Sequence, residues 1–282
     1  MYKIIKSLRM LEALLVSGFI FIGGLFGIYK AGTYNLSVLA GVAFISYTLM
    51  LSIYSFNAYL GFIDDKANPR LKELSFLSRN HFLTSTIVFY SMSIVISLFM
   101  NFWNSYLHLL IFVLWFLYAV PGFGKHLPVL GTIIHFLLAL VQFNFAYSFF
   151  SPISMDSFLI SCYFGFIFSA GHLHHEIIDY EVDAKNSIKT STVLWGIKKI
   201  KYFSFGMFVL AYIFLTLLFM TQTIDILIYI IFGSIAIFLL ILFLFLNKKF
   251  EIDFKARLNY RLIYRIIFLI SGAVFTCITL FK

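Results

Sequence analysis

The chain has 282 residues, of which 62% are hydrophobic and only 12% charged, with a mean hydropathy of +0.97. A soluble domain carries about 25% charged residues, so this composition excludes an ordinary soluble enzyme and makes lipid the solvent. The net charge of +9 sits between long apolar runs, which excludes a soluble basic surface for nucleic acid and fits loop charge at a membrane face.

A bilayer span needs about 20 apolar residues. Nine stretches qualify: 11–29, 34–56, 80–100, 103–120, 127–148, 153–172, 202–221, 224–246 and 262–280. They predict an all-α, polytopic transmembrane helical bundle of about nine helices, forming a single domain over residues 1–282. In the first stretch, Gly23, Gly24 and Gly27 mark close helix packing. That stretch is long enough to span, and no small-residue cleavage pattern follows it, so it reads as a helix rather than a cleavable signal. The fifth stretch contains His135, Gln142 and Asn144; polar groups in a membrane helix face the interior, so these are candidates to line a cavity. Cys162 and Cys277 lie in separate apolar runs, without a disulfide framework or a CxxC metal site.

Orientation follows from Lys and Arg. Nineteen of the 21 fall at the N-terminus and in the second, fourth, sixth and eighth connections, leaving Lys30 and Lys282 for the other side. The positive-inside rule then places the N-terminus in the cytoplasm and these even connections with it.

Two connections on that side are longer and acidic. One runs from Asn57 to Arg70 and contains Asp64 and Asp65; the other runs from His172 to Thr190 and contains Glu176, Asp179, Glu181 and Asp183. With Glu73 they hold seven of the chain's 12 acids. If the second segment continues the sixth helix, Glu176, Asp179 and Asp183 fall at i, i+3 and i+7, on one face. Asp179 and Asp183, one turn apart, can reach a common ion. Carboxylates facing water suit Mg²⁺, which takes one or two of them together with phosphate oxygens. Arg70, Lys125 and Lys189 share that side, and acids for a metal beside cations are what a diphosphate requires. The alternative is a solvated acidic loop balanced by local lysines. His172, His174 and His175 beside Glu176 do not form HExxH, so they read as cavity lining or acceptor contacts rather than a zinc site.

These segments resemble the UbiA superfamily of membrane prenyltransferases. That family's first motif, N-D-x-x-D-x-x-x-D followed by N-P-x, matches Asn57, Asp65 and Asn68-Pro69-Arg70. Its second, D-x-x-x-D followed by G-x-x-T-L, matches Asp179 to Asp183, then Lys189-Thr190 and Val193-Leu194. A third, Y-S-x-P-P-x-R-x-K-x-x-P, resembles Tyr118 to Pro128, with Lys125 in place. Ala58 and Gly61 replace two acids of the first motif, Asp64 is an extra acid beside Asp65, Phe123 replaces an Arg, and Ser187 stands where a Gly is usual.

The resemblance implies a Mg²⁺-dependent transferase that moves a polyprenyl group from an allylic isoprenyl diphosphate donor to a hydrophobic or aromatic acceptor, within membrane lipid and with no nucleic acid. Asp65, Asp179 and Asp183 are expected to be catalytic. Asn57, Asp64 and Glu176 are expected to join them around the metal. Arg70, Lys125, Lys189 and Tyr118 are expected to bind diphosphate, and His172, His175, Tyr180 and Asn144 to line the acceptor cavity. A UbiA-type terpene cyclase, in which the substrate's own double bond captures the cation, is the alternative within the family. A lipid or anion transporter is the alternative from another class, although it would place its polar groups nearer the midplane.

Overall fold

The computed structural model describes residues 2–62, 76–235, 238, 250–251 and 253–281. Every regular element among them is helical. They are α1 (Tyr2–Ser7), α2 (Met10–Ala31), α3 (Leu36–Leu60), α4 (Arg79–Met100), α5 (Asn104–Ala119), a single 3₁₀ turn (Gly124–His126), α6 (Leu130–Tyr147), α7 (Met155–Lys185), α8 (Ser191–Trp195), α9 (Ile197–Met220), α10 (Ile226–Ile235) and α11 (Phe254–Phe281). Seven helices of the described residues are long and apolar enough to cross a bilayer: α2, α3, α4, α6, α9, α11 and the Asn104–His126 segment that contains α5. The protein is an all-α, polytopic integral membrane protein. The eighth predicted stretch, 224–246, is described only in its first half, as α10. Asp64, Asp65 and Arg70 lie outside the described residues.

The helices begin and end where local chemistry allows. Asn35 caps α3 by accepting the Ser37 and Val38 N–H groups at 2.8 and 3.3 Å, which satisfies donors the first turn leaves free. Gly32, at φ 71, ends α2. Ser154 and Ser157 form a reciprocal capping box at the start of α7.

The chain divides into two compact units, one of Met1–Gly124 with Val141–Ile153 and the other of Lys125–Leu140 with Ser154–Lys282. In the first, α3 packs on α2 and α4. The expected glycine packing is present: a Cβ on Gly23 would lie 2.1 Å from the Phe143 carbonyl oxygen, and one on Gly27 would lie 2.6 Å from that of Tyr147. Only hydrogen fits there. A buried polar pair, Ser93 Oγ and His108 Nε2 at 2.5 Å, joins α4 to α5, an interhelical contact of the kind that holds membrane helices together.

In the second unit, α7 packs on α9 and α11. Ser204 donates to the Ala170 carbonyl at 2.9 Å, and Phe164, Phe232 and Phe275 form an edge-on cluster. Helix α7 is the element that positions the polar chemistry. Its 31 residues extend about 46 Å at 1.5 Å per residue, and Glu176, Asp179, Glu181 and Asp183 all fall in its last ten residues. Three cations expected as loop charge are instead buried, Lys201 at 4%, Arg257 at 2% and Arg261 at 8% exposure. Arg257 donates to Glu181 at 2.8 Å and to the carbonyls of Phe250 and Glu251 at 3.0 Å each, and Lys201 pairs with Glu251.

Candidate functional site

In the second unit, the segment after residue 172 continues as helix to Lys185, so Glu176, Asp179 and Asp183 do share one helical face. Asp179 and Asp183 are partly accessible, and Glu176 is buried. His175 Nδ1 lies 3.5 Å from Asp179 Oδ2, near enough to orient that carboxylate. Tyr180 is partly exposed beside it.

The helix stops in a fixed way. Asn186 is the C-cap, and the next residue, Ser187, takes φ 57. The Ile188 N–H reaches back to the Asp183 carbonyl at 2.9 Å, and the Ser187 N–H reaches the Ala184 carbonyl at 3.2 Å. This is the paired-bond helix terminus that glycine favours. A serine there carries a left-handed penalty of about 1 kcal/mol. Lys189, exposed, follows directly. Thr190 then caps α8 by accepting the Val193 N–H at 3.4 Å.

Glu176 is engaged elsewhere than its neighbours. One carboxylate oxygen accepts the Thr192 N–H at 3.1 Å and the Thr192 hydroxyl at 3.4 Å; the other accepts the Ser191 hydroxyl at 3.4 Å. Ser191 Oγ in turn accepts the Val129 N–H at 3.0 Å. Val129 has φ 68, a conformation rare for a β-branched residue and one that costs about 1–3 kcal/mol unless neighbours enforce it. His172 Nε2 lies 3.7 Å from Glu176, and its ring centroid lies 4.0 Å from that of His135, with the rings tilted by 58°. A polar line therefore runs from half-buried His135 to the buried His172, Glu176 and Ser191.

Lys125 sits in the 3₁₀ turn Gly124–His126, four residues before Val129, partly exposed. In the first unit, Gly124 at φ 34 is pressed against Tyr118: a Cβ there would lie 2.4 Å from the Tyr118 carbonyl oxygen. Asn57 lies in the last turn of α3, and its Oδ1 is buried without a hydrogen-bond partner among the described residues. Asn144 is buried at 7% exposure.

The second unit thus brings Glu176, Asp179, Asp183, His172, His175 and Tyr180 onto one helix, with Lys189 after its cap. Asn57, Tyr118 and Asn144 belong to the first unit. Ser191, Thr192 and Val129 escape the sequence reading, although Thr190-Ser191-Thr192 before Val193-Leu194-Trp195 is a helix-start signature. No group of three or more His, Cys, Asp or Glu poised for a metal occurs among the described residues. Within the second unit the donor set nevertheless fits Mg²⁺ shared with a diphosphate: Asp179 and Asp183 are two partly accessible carboxylates one turn apart at a helix end.

The comparisons with known proteins converge. Residues 16–263 match the model of the UbiA prenyltransferase family. A search of curated proteins finds no match. Among solved structures, a UbiA homolog from Archaeoglobus fulgidus bound to GPP and Mg²⁺ superposes with TM-score 0.75 at 17% identity, covering 97% of this chain and 99% of that one. An apo UbiA homolog from Aeropyrum pernix K1 gives TM-score 0.73 at 16% identity, covering 94% and 98%. A digeranylgeranylglyceryl phosphate synthase gives TM-score 0.68 at 20% identity, covering 98% of each chain.

Proposed function

The chain belongs to the UbiA prenyltransferase family, and from that premise we propose that it transfers a polyprenyl group from an allylic isoprenyl diphosphate to a hydrophobic or aromatic acceptor at the cytoplasmic face of the membrane. The observation that carries this reading is the unbroken run of α7 through Asp179 and Asp183, which puts both carboxylates one turn apart beyond the apolar part of the helix.

Asp179 and Asp183 would hold Mg²⁺, and the family pattern assigns Asn57 and Asp65, with Asp64 beside Asp65, to the same role. When bound, the ion neutralises charge developing on the leaving diphosphate. Lys189, Lys125, Arg70 and Tyr118 contribute the remaining donors, and charge-assisted contacts of this type are the strong ones. His175 orients Asp179. His172, Tyr180 and Asn144 serve the acceptor side, where a polar group must be received inside an otherwise apolar interior. A long isoprenoid tail can enter sideways from lipid while its diphosphate stays at the charged helix end. The A. fulgidus homolog is bound to GPP and Mg²⁺, which supports an isoprenyl diphosphate donor used with Mg²⁺.

The test is to incubate purified protein with Mg²⁺ and isoprenyl diphosphates of several lengths, with and without phenolic, quinone-precursor and glycerol-phosphate lipid acceptors, and to measure diphosphate and prenylated product. Acceptor-dependent release with a prenylated product is expected. Release without acceptor, accompanied by a cyclic hydrocarbon, would replace transfer with cyclisation. No release with any donor would overturn the reading.

A further inference from the structure

We propose that Glu176 is a positioning residue: its buried carboxylate locks the Lys125 connection and the Lys189–Thr192 turn onto the helix that carries Asp179 and Asp183. This deepens, and rests on, the transferase reading above.

The network is specific in its geometry. The donors converging on Glu176 come from one short stretch, Ser191 and Thr192, at distances of 3.1 to 3.4 Å. These residues are almost wholly enclosed, with Glu176 at 6%, Ser191 at 1% and Thr192 at 0% exposure. The Thr192 N–H belongs to the first turn of α8, where no helical acceptor exists for it. Ser191 passes the connection on to Val129. Val129 holds a left-handed backbone at φ 68, and such a backbone persists only where surrounding contacts over-determine it. The Ser191 acceptor is one such contact, and it reaches Val129 across 62 residues of sequence. Three pieces of chain are thereby fixed to each other: the connection with Lys125, the turn with Lys189, and the last turns of α7.

Two donor-binding cations then depend on a residue that does not itself touch donor. Removing the carboxylate releases both cations and leaves polar groups buried without partners. A glutamine, however, keeps most of the network. Its carbonyl oxygen can accept both Thr192 donors, while its amide faces Ser191 Oγ, which can accept. A metal ligand would behave in the opposite way, because losing the negative charge would be the damaging change.

The experiment pairs donor kinetics with amide hydrogen exchange, on full-length protein in nanodiscs, for wild type, Glu176→Gln, Glu176→Ala and Ser191→Ala. Exchange in peptides containing Val129 and Thr192 should accelerate at least tenfold in Glu176→Ala and stay near wild type in Glu176→Gln. The donor KM should rise at least tenfold in Glu176→Ala with kcat altered less than threefold, and Glu176→Gln should recover most of that loss. Adding Ser191→Ala to Glu176→Ala should cost little more, since both break one network. Unchanged exchange at both amides in Glu176→Ala would overturn the proposal. So would a Glu176→Gln variant as impaired as Glu176→Ala and rescued by added Mg²⁺, the signature of a direct ligand. If wild type itself releases no diphosphate, the transferase reading fails, and the positioning of donor-binding groups fails with it; the exchange data then show separately whether the lock exists.

Discussion

At the scale of single residues, Ser187 shows how a departure from a family pattern acquires a physical meaning. In the sequence it is only a serine where glycine is usual. In the structure it is the left-handed residue that terminates α7, at φ 57, directly after Asn186 and four residues beyond Asp183. Glycine adopts that backbone without a steric penalty. Ser187→Gly should therefore stabilise the helix end by up to about 1 kcal/mol, less any entropy gained by the unfolded chain. Thermal unfolding in detergent measures this; a Tm lowered by several degrees would show that the serine side chain makes a contact worth more than the strain. Asp179 and Asp183 were legible from spacing alone, because i and i+4 share a helical face whatever surrounds the helix. The partners of Glu176 were not legible, because Ser191 and Thr192 are 15 and 16 residues away and meet it only after the chain reverses at Ser187. A carboxylate among carboxylates looks alike in sequence whether it faces an ion or a helix N-terminus.

At the scale of elements, apolar run length located seven of the nine predicted spans among the described residues, since lipid allows little except helix at that depth. It located their ends less well. The predicted stretch 202–221 is a helix from Ile197, and 262–280 is a helix from Phe254. In both, charged residues enter the helix: Lys198, Lys199 and Lys255 are exposed, while Lys201 and Arg257 are buried with Glu251 and Glu181 as partners. A hydropathy reading stops at the first charge and cannot see a partner brought from elsewhere in the chain. The glycines of α2 were legible as a packing face, and the structure supplies a sharper distinction among them. Gly23 meets the backbone of Phe143, whereas a Cβ added at Gly18 would meet nothing within 4 Å. Gly23→Ala should destabilise the first unit by about 1–3 kcal/mol through overpacking, while Gly18→Ala should be neutral or slightly stabilising, because alanine is the better helix former. Equal Tm values for Gly23→Ala and wild type would mean that α2 is not seated as described.

At the scale of the whole molecule, family and helical architecture were legible because three motifs fall in order on the second, fourth and sixth connections and because charge alternates between connections. The same alternation makes a prediction about the membrane. Reporters inserted near Arg70, Lys125, Lys189 and Lys255 should all read as cytoplasmic. A single one reading from the opposite side would contradict the assigned orientation, even with the helices themselves unchanged. The end of α7 is proposed to act on a diphosphate through two carboxylates and Mg²⁺. The most direct test is diphosphate release across a Mg²⁺ titration, for wild type, Asp179→Asn and Asp183→Asn, each shown separately to be folded. Asparagine keeps the shape of aspartate and removes the charge, so wild type should show Mg²⁺-dependent release and either variant at least a hundredfold loss. Wild-type rates in both variants would contradict that role.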